Sequence, residues 1–383
     1  MSTLSAFLEL YPVINTKRGY KGGVMAFLDH IYGRQRAGRQ ATPEEWSRYE
    51  ALAEQYRAEN RDRINDLMKF NASNAAIPPL TAKTRNNAVK EFYAYIGFEL
   101  SPREQKRVRL RLPKGSARTI ERDLDHQTLR AILQHMDIKS KAFFLTLVSS
   151  GMRVGELVKV HTKDFSLNDS PAVITIRGEY TKTGEARFTF ISDEAVDALK
   201  EWMKVRDKYM MAAANRNRGL VRKERAKERL KTDSRMFPFS QKNAGEMWTT
   251  ALKNADYLSY DPSTGRSQIH IHMLRKFFRS QLALGCPVDI VESLMGHSGY
   301  LTDAYRRFTK KQMGEYYKKA EHLVTLTMPE DLEDLRQEQT EQKEVLTALA
   351  SENRQLRADL LVLNDELRTI KKLMAVVTEK EVK

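Results

Sequence analysis

Apolar residues recur at helical spacing over most of this chain, and polar residues mark where the helices begin. Thr42-Pro43-Glu44-Glu45 has the form of an N-cap, an N1 proline and the N3 glutamate of a capping box, and Ser101-Pro102-Arg103-Glu104 repeats it. Between them, 60–72 and 81–96 carry helical apolar spacing, broken by Ile77-Pro78-Pro79. The pattern predicts a small helical domain over 1–110, within which 1–40 can be set apart as an N-terminal extension. A second domain, 123–325, opens with helices at 126–135 and 139–149. The period then changes to two at Val173–Gly178 and Ala186–Ile191, which predicts two strands joined by a hairpin turn at Thr181-Lys182-Thr183-Gly184. Helix returns over 193–230, where the densely charged stretch 216–231 reads equally well as a solvated face or a DNA reader. The expected fold is mainly α with a small β-hairpin sheet.

Residues 106–122 (KRVRLRLPKGSARTIER) are basic and broken by Pro113 and Gly115, so they read as an exposed linker, with 111–122 between the domains. The sharpest periodicity lies at 329–380. One heptad position runs Leu332, Gln339, Leu346, Asn353, Leu360, Leu367, Met374; the other runs Leu335, Gln342, Leu349, Leu356, Leu363, Ile370, Val377. That is the pattern of a coiled coil, and an Asn at one a position favours a two-stranded, in-register parallel pair. The oligomerisation residues expected from it are Leu346, Leu349, Asn353, Leu356, Leu360, Leu363 and Leu367. The alternatives are a helix folded back on its own chain, or recruitment of another coiled-coil protein.

Composition narrows the classes of function. The formal net charge is +15, and because 330–383 carries 9 Lys/Arg against 13 Asp/Glu, the globular part is more basic still. Such a surface suits a polyanion. The single cysteine, Cys286, excludes an internal disulfide and a cysteine-built zinc site. No apolar run approaches the roughly 18 residues of a membrane span, and the start of the chain lacks the basic-then-apolar order of a signal peptide. An intracellular, DNA-associated location (cytoplasm or nucleoid) is the expectation.

Cleaving a phosphodiester needs a nucleophile, a holder for the equatorial negative charge and an acid for the leaving oxygen. Without a metal, arginine holds the charge best, because its fork matches two phosphate oxygens and stays protonated. The candidates fall in three segments. SSGMRVGEL (149–157) sets Arg153 after a Gly151 turn, at the entry of an apolar helix. HIHMLRKFF (270–278) puts His272 and Arg275 three apart, on one helical face. LMGHSGYLTDAY (294–305) gives His297 after a Gly296 helix stop, then Tyr305.

The order Arg, hairpin Lys, His-x-x-Arg, Gly-His, Tyr resembles the tyrosine recombinases, the phage-type integrases, over about 123–325. The tail is unusual for that family, and the spacing from His297 to Tyr305 is one residue shorter than its commoner form, as in archaeal-looking members. The resemblance implies that Arg153 and Arg275 clamp the scissile phosphate and that Lys182 protonates the leaving 5′ oxygen. It implies that His272 assists proton transfer from the nucleophile and that His297 bonds a phosphate oxygen. Glu156 then corresponds to a buried acidic partner of the site, and Tyr305 to the nucleophile that joins a 3′ phosphate. Tyr300 lies too near His297 to swing into line, and Tyr316 and Tyr317 read as residues of the next helix and its core. The resemblance further implies a clamp around double-stranded DNA, no cofactor or metal, and a tetramer on two DNA sites; the heptad pattern itself adds the expectation of a homodimer paired through the coiled coil. Arg103, Lys106, Arg107, Arg109, Arg111 and Lys114 are the expected backbone-phosphate contacts. The function implied is site-specific recombination that integrates or excises a mobile element. The alternatives are a chromosome dimer resolvase, a type IB topoisomerase-like enzyme, or a DNA-binding regulator without catalysis.

Overall fold

The computed structural model describes residues 3–38, 40–115, 118–221, 233–297 and 308–327. The chain separates into two units, Met1–Arg122 with Ser259–Gln268, and Asp123–Leu258 with Ile269–Lys383.

The first unit is helical: α1 (Thr3–Glu9), α2 (Ile14–Tyr32), α3 (Pro43–Ala58), α4 (Arg63–Ser73), α5 (Pro79–Tyr95) and α6 (Pro102–Arg109). Both capping boxes form. Thr42 and Ser101 accept from the N3 backbone amides, while Glu45 and Glu104 return to the cap amides. Helices α2 and α5 pack closely because Gly23 has no side chain; a Cβ there would sit 2.5 Å from that of Ala88. The core is aromatic, with Phe7, Phe27, Tyr49, Phe70 and Phe92 buried among the helices. Two buried phenols, Tyr56 and Tyr93, satisfy each other at 2.7 Å, and Tyr93 also donates to the Arg63 carbonyl. The box at Ser101 sustains helix through Arg109, so Lys106, Arg107 and Arg109 belong to α6 and the connector begins later than the linker expected at 106. The segment 259–268 is held to that connector: the Asp261 carboxylate accepts from the Ile120 amide (2.9 Å), and the Arg122 amide donates to the Gln268 carbonyl.

The second unit comprises α7 (His126–Gln134), α8 (Ile138–Ser150), α9 (Val154–Leu157), strands β1 (Phe165–Ser166), β2 (Ala172–Ile176) and β3 (Arg187–Ile191), then α10 (Asp193–Val221), α11 (Gln241–Asn254), α12 (His272–Leu282), α13 (Val288–Met295) and α14 (Lys310–Ala320). The strands form one antiparallel sheet in the order β1-β2-β3, with Ala172 opposite Ile191 and Ile176 opposite Arg187. The connection from β2 to β3 is longer than the tight turn expected at 181–184. A 3-10 turn, Gly178–Tyr180, intervenes, and the chain doubles back so closely that a Cβ on Gly178 would lie 2.2 Å from the Gly184 carbonyl oxygen. Helix α8 lies at the centre and is buried almost throughout, with Phe143 and Phe144 against Phe237, Phe239 and Trp248. A second apolar cluster joins Phe190 of β3 to Phe278, Ile290, Leu294 and Tyr317 of α12 to α14. No helix among the described residues is long and apolar enough to cross a membrane. The heptad segment, including Leu346, Asn353 and Leu360, lies outside the described residues, as do 222–231 of the charged stretch.

Candidate active site

Helix α8 ends where the site begins. The last carbonyls of a helix have no partner within it, and here side chains from distant elements take them up. Tyr317 of α14 donates its hydroxyl to the Ser149 carbonyl (2.7 Å), Thr189 of β3 to that of Ser150 (2.8 Å), and Arg275 of α12 to that of Gly151. Gly151 is left-handed, with φ +63°, and a Cβ there would fall 2.3 Å from the Phe278 ring. Any side chain would push α12 away from this turn.

Arg153 follows as the N-cap of α9. Its amide donates to Glu156 Oε2 at 2.9 Å and its Nη1 to Oε1 at 3.0 Å. Glu156 is 2 % exposed. Its carboxylate also takes both terminal nitrogens of Arg187, at 3.2 and 2.6 Å. Burial pushes the Glu156 carboxyl up, but the Arg187 guanidinium and then Arg153 outweigh it and hold it below the usual range. A buried carboxylate with four donors is a fixed anion, and it orients the arginine beside it.

Arg275, on the inner face of α12, is 3 % exposed. Nη1 donates to Gly151, while Nη2 donates to the Met295 carbonyl (2.8 Å) and to Nε2 of His297 (2.8 Å). Burial, then the charge of Arg153, pushes its pKa down to about 10, so it is still a cation at neutral pH. Arg153, His272 and Arg275 line one pocket of about 330 Å³, with Gln241, Met152 and Leu274 among its walls. A larger cavity of about 620 Å³ beside α8, α10 and α11 contains none of the predicted site residues. His272 opens α12 at the pocket wall, where lost hydration and then Arg275 lower its pKa, leaving a neutral imidazole able to accept a proton. His297 follows Gly296, whose left-handed φ of +70° ends α13 as expected.

Five of the predicted groups (Arg153, Glu156, His272, Arg275 and His297) are therefore joined by this pocket and its hydrogen bonds. Lys182 is exposed in the β2–β3 connection and makes no hydrogen bond or ion pair among the described residues, while its neighbour in this region, Lys159, donates to the Tyr180 carbonyl (3.3 Å). Tyr317 is a core residue, whereas Tyr316 is half-exposed. Tyr305 and Tyr300 lie outside the described residues. In the first unit, Arg103, Lys106, Arg107, Arg109, Arg111 and Lys114 are all exposed.

Two residues of the site were not among the candidates. Arg187 clamps Glu156 and donates Nε to the Leu294 carbonyl (3.1 Å), and it fills the space that a Cβ on Gly296 would need. Glu292 accepts from His297 and from Arg279. An arginine at the second position of the strand expected at Ala186–Ile191 is the only trace of the first, and nothing in the local pattern marks the second.

The fold and site define a mainly helical protein with an arginine-lined pocket at the end of a buried helix. Residues 122–312 match the family described as "Phage integrase family", and the chain belongs to that family. It is similar to the tyrosine recombinase XerA of Pyrococcus horikoshii, 23% identical over 279 residues, covering 71% of this chain and 84% of the relative. It is also similar to the tyrosine recombinase XerD of Caulobacter vibrioides, 23% identical over 234 residues, covering 59% of this chain and 70% of the relative. Among solved structures, a lambda integrase dimer bound to a COC′ core site aligns with TM-score 0.46 and 15% identity, covering 83% of this chain and 76% of that one.

Proposed function

We propose that the chain is a site-specific DNA recombinase that cleaves and rejoins double-stranded DNA through a 3′-phosphotyrosine at Tyr305. The observation that carries this reading is the single pocket shared by Arg153, His272 and Arg275, with His297 bonded to Arg275. Two guanidiniums at one pocket are suited to hold the non-bridging oxygens of a phosphate and the charge that builds on them during displacement. In the step proposed, the Tyr305 oxygen bonds to phosphorus and its proton passes to the neutral His272. The bond from phosphorus to the 5′ oxygen breaks, and Lys182 protonates that oxygen. The phosphotyrosyl ester keeps the energy of the broken linkage, so the reverse attack by a 5′ hydroxyl rejoins DNA without ATP.

The test uses nicked duplexes of randomised sequence, incubated with the full chain and resolved under denaturing conditions. A covalent protein–DNA adduct is expected from the wild type and none from Y305F. An adduct that persists in Y305F, or none from the wild type, overturns the proposal. The named relatives are tyrosine recombinases, which favours exchange between two sites over relaxation of supercoils. A plasmid carrying two selected sites separates these outcomes. Exposed Arg103, Lys106 and Arg107 on one face of α6 are proposed phosphate contacts, so affinity for duplex should fall steeply with salt. The heptad tail is proposed to pair two protomers, and two such pairs to meet on two DNA sites. A chain ending at Pro329 should sediment as a monomer off DNA; undiminished self-association would refute that role.

A further inference from the structure

We infer that Glu292 is a positioning residue for the anion pocket: its carboxylate decides which nitrogen of His297 carries the proton, and so presents an unprotonated Nε2 to Arg275. The pairing originates in the helix stop. Gly296 is left-handed, the His297 amide donates to the Glu292 carbonyl (3.1 Å), and the Gly296 amide to that of Ser293 (3.0 Å). This Schellman closure brings the ring of His297 back over the residue five positions earlier. There Nδ1 meets the Glu292 carboxylate, and the Arg279 Nε donates to the other carboxylate oxygen at 2.5 Å.

The chemistry of the partners fixes the tautomer. A guanidinium only donates, so Nε2, 2.8 Å from Arg275 Nη2, must be the acceptor. A carboxylate only accepts, so Nδ1 must carry the hydrogen. Burial raises the Glu292 carboxyl, but the hydrogen bonds of His297 and Arg279 bring it below its ordinary range and keep it ionised. The chain Arg279–Glu292–His297–Arg275 thus leads from the surface to the buried guanidinium and gives its Nη2 a second acceptor. Glu292 need not touch a substrate to do this.

The discriminating variant is E292Q, nearly the same shape. Its single amide oxygen takes the place of only one of the two carboxylate oxygens, the one facing Arg279 or the one facing His297. With Arg279 holding the oxygen, the amide NH₂ faces Nδ1 and the proton moves to Nε2. Two donors would then oppose each other across the 2.8 Å to Arg275, and the ring leaves the site. In E292A, water can take the Nδ1 proton, so the disturbance is smaller.

The first measurement is nitrogen-15 NMR of the histidine side chains in the full, DNA-free chain, with His297 assigned through H297N. The expected result is the Nδ1–H form in the wild type, the Nε2–H form in E292Q and a mixture in E292A. A wild-type Nε2–H form, or an unchanged tautomer in E292Q, overturns the inference. The second measurement rests on the proposed recombinase reading: single-turnover adduct formation on the nicked duplex pool. E292Q should slow it by about tenfold or more, E292A by less, with duplex affinity unchanged. A purely structural role predicts the opposite order, because Gln is the closer replacement; that order, or equal rates, refutes the role in the reaction. If the wild type forms no adduct, the recombinase reading fails while the tautomer measurement still judges the inference.

Discussion

Replacing Glu156 by Gln tests the charge balance beneath the pocket. The side chain keeps its volume and one acceptor oxygen but loses its charge. Arg187 then loses its counter-ion in a site where the two side chains are 9 % and 3 % exposed. Removing one partner of a buried pair costs about 3–5 kcal/mol, because the remaining charge stays desolvated. The Arg153 pair adds little, since that side chain is 36 % exposed and screened by solvent; an exposed pair contributes about 0–1 kcal/mol. Taking about 4 kcal/mol for the second unit, and a shift of about 2–4 °C per kcal/mol for a domain of its size, the expected fall in Tm is about 8–16 °C. Calorimetry of the full chain, following the transition lost on E156Q, measures it. The double variant E156L/R187M should recover at least about 2 kcal/mol relative to the sum of the singles, because both charges leave together. The pH dependence has a definite sign. The folded carboxyl titrates below the ordinary Glu value of 4.5, so its contribution is fully present above that pH and is lost as pH falls through the lowered folded value. E156Q should abolish that part of the acid slope. A loss under about 1 kcal/mol, or a double variant no better than the sum of its parts, would refute the reasoning.

Two further predictions address the same unit. Tyr317→Phe removes the hydroxyl that donates to the Ser149 carbonyl and should cost about 1–3 kcal/mol, the penalty of a buried acceptor left unpaired; denaturant titration measures this, and adduct formation should survive, unlike in Y305F. Because the His272 pKa is lowered from 6.5, the ring is a neutral base at neutral pH and the rate of adduct formation should fall only as pH drops below that value. For folding the sign is the reverse of a stabilising histidine: the unfolded chain binds the proton more readily, so this group's contribution to stability declines as pH falls through 6.5. An H272Q chain that retains the acid limb of the rate profile would exclude His272 as the group responsible.

What could be read before folding is local. Caps at Thr42 and Ser101, the stops at Gly151 and Gly296, and the spacing of His272 and Arg275 on one helix all depend on a few neighbouring residues, and each stands in the structure as expected. That Arg153 follows the stop at Gly151 and that His272 and Arg275 share α12 were legible for the same reason, while their shared pocket was not. The β2–β3 connection is longer than its turn residues indicate because Gly178 makes its closest approach to a backbone carbonyl six residues away, which no turn dipeptide announces. Residues 106–109 are helix although their composition is that of the basic connector, because a charged helix and a charged loop share a composition.

The sequence alone determined the caps at Thr42 and Ser101, the helix stops at Gly151 and Gly296 and the basic character of the chain, because these follow from side-chain chemistry and short-range periodicity. Only the tertiary structure decided that Arg187 of β3 closes on Glu156, that Arg275 of α12 reaches Gly151 at the end of α8, and that the Glu292 carboxylate meets the His297 ring. Two of these pairings join residues 31 and 124 positions apart. The third spans a helix stop, where a left-handed glycine sets which ring nitrogen meets the carboxylate. Burial gives such contacts their strength, and burial is a property of the packed elements together rather than of any one segment.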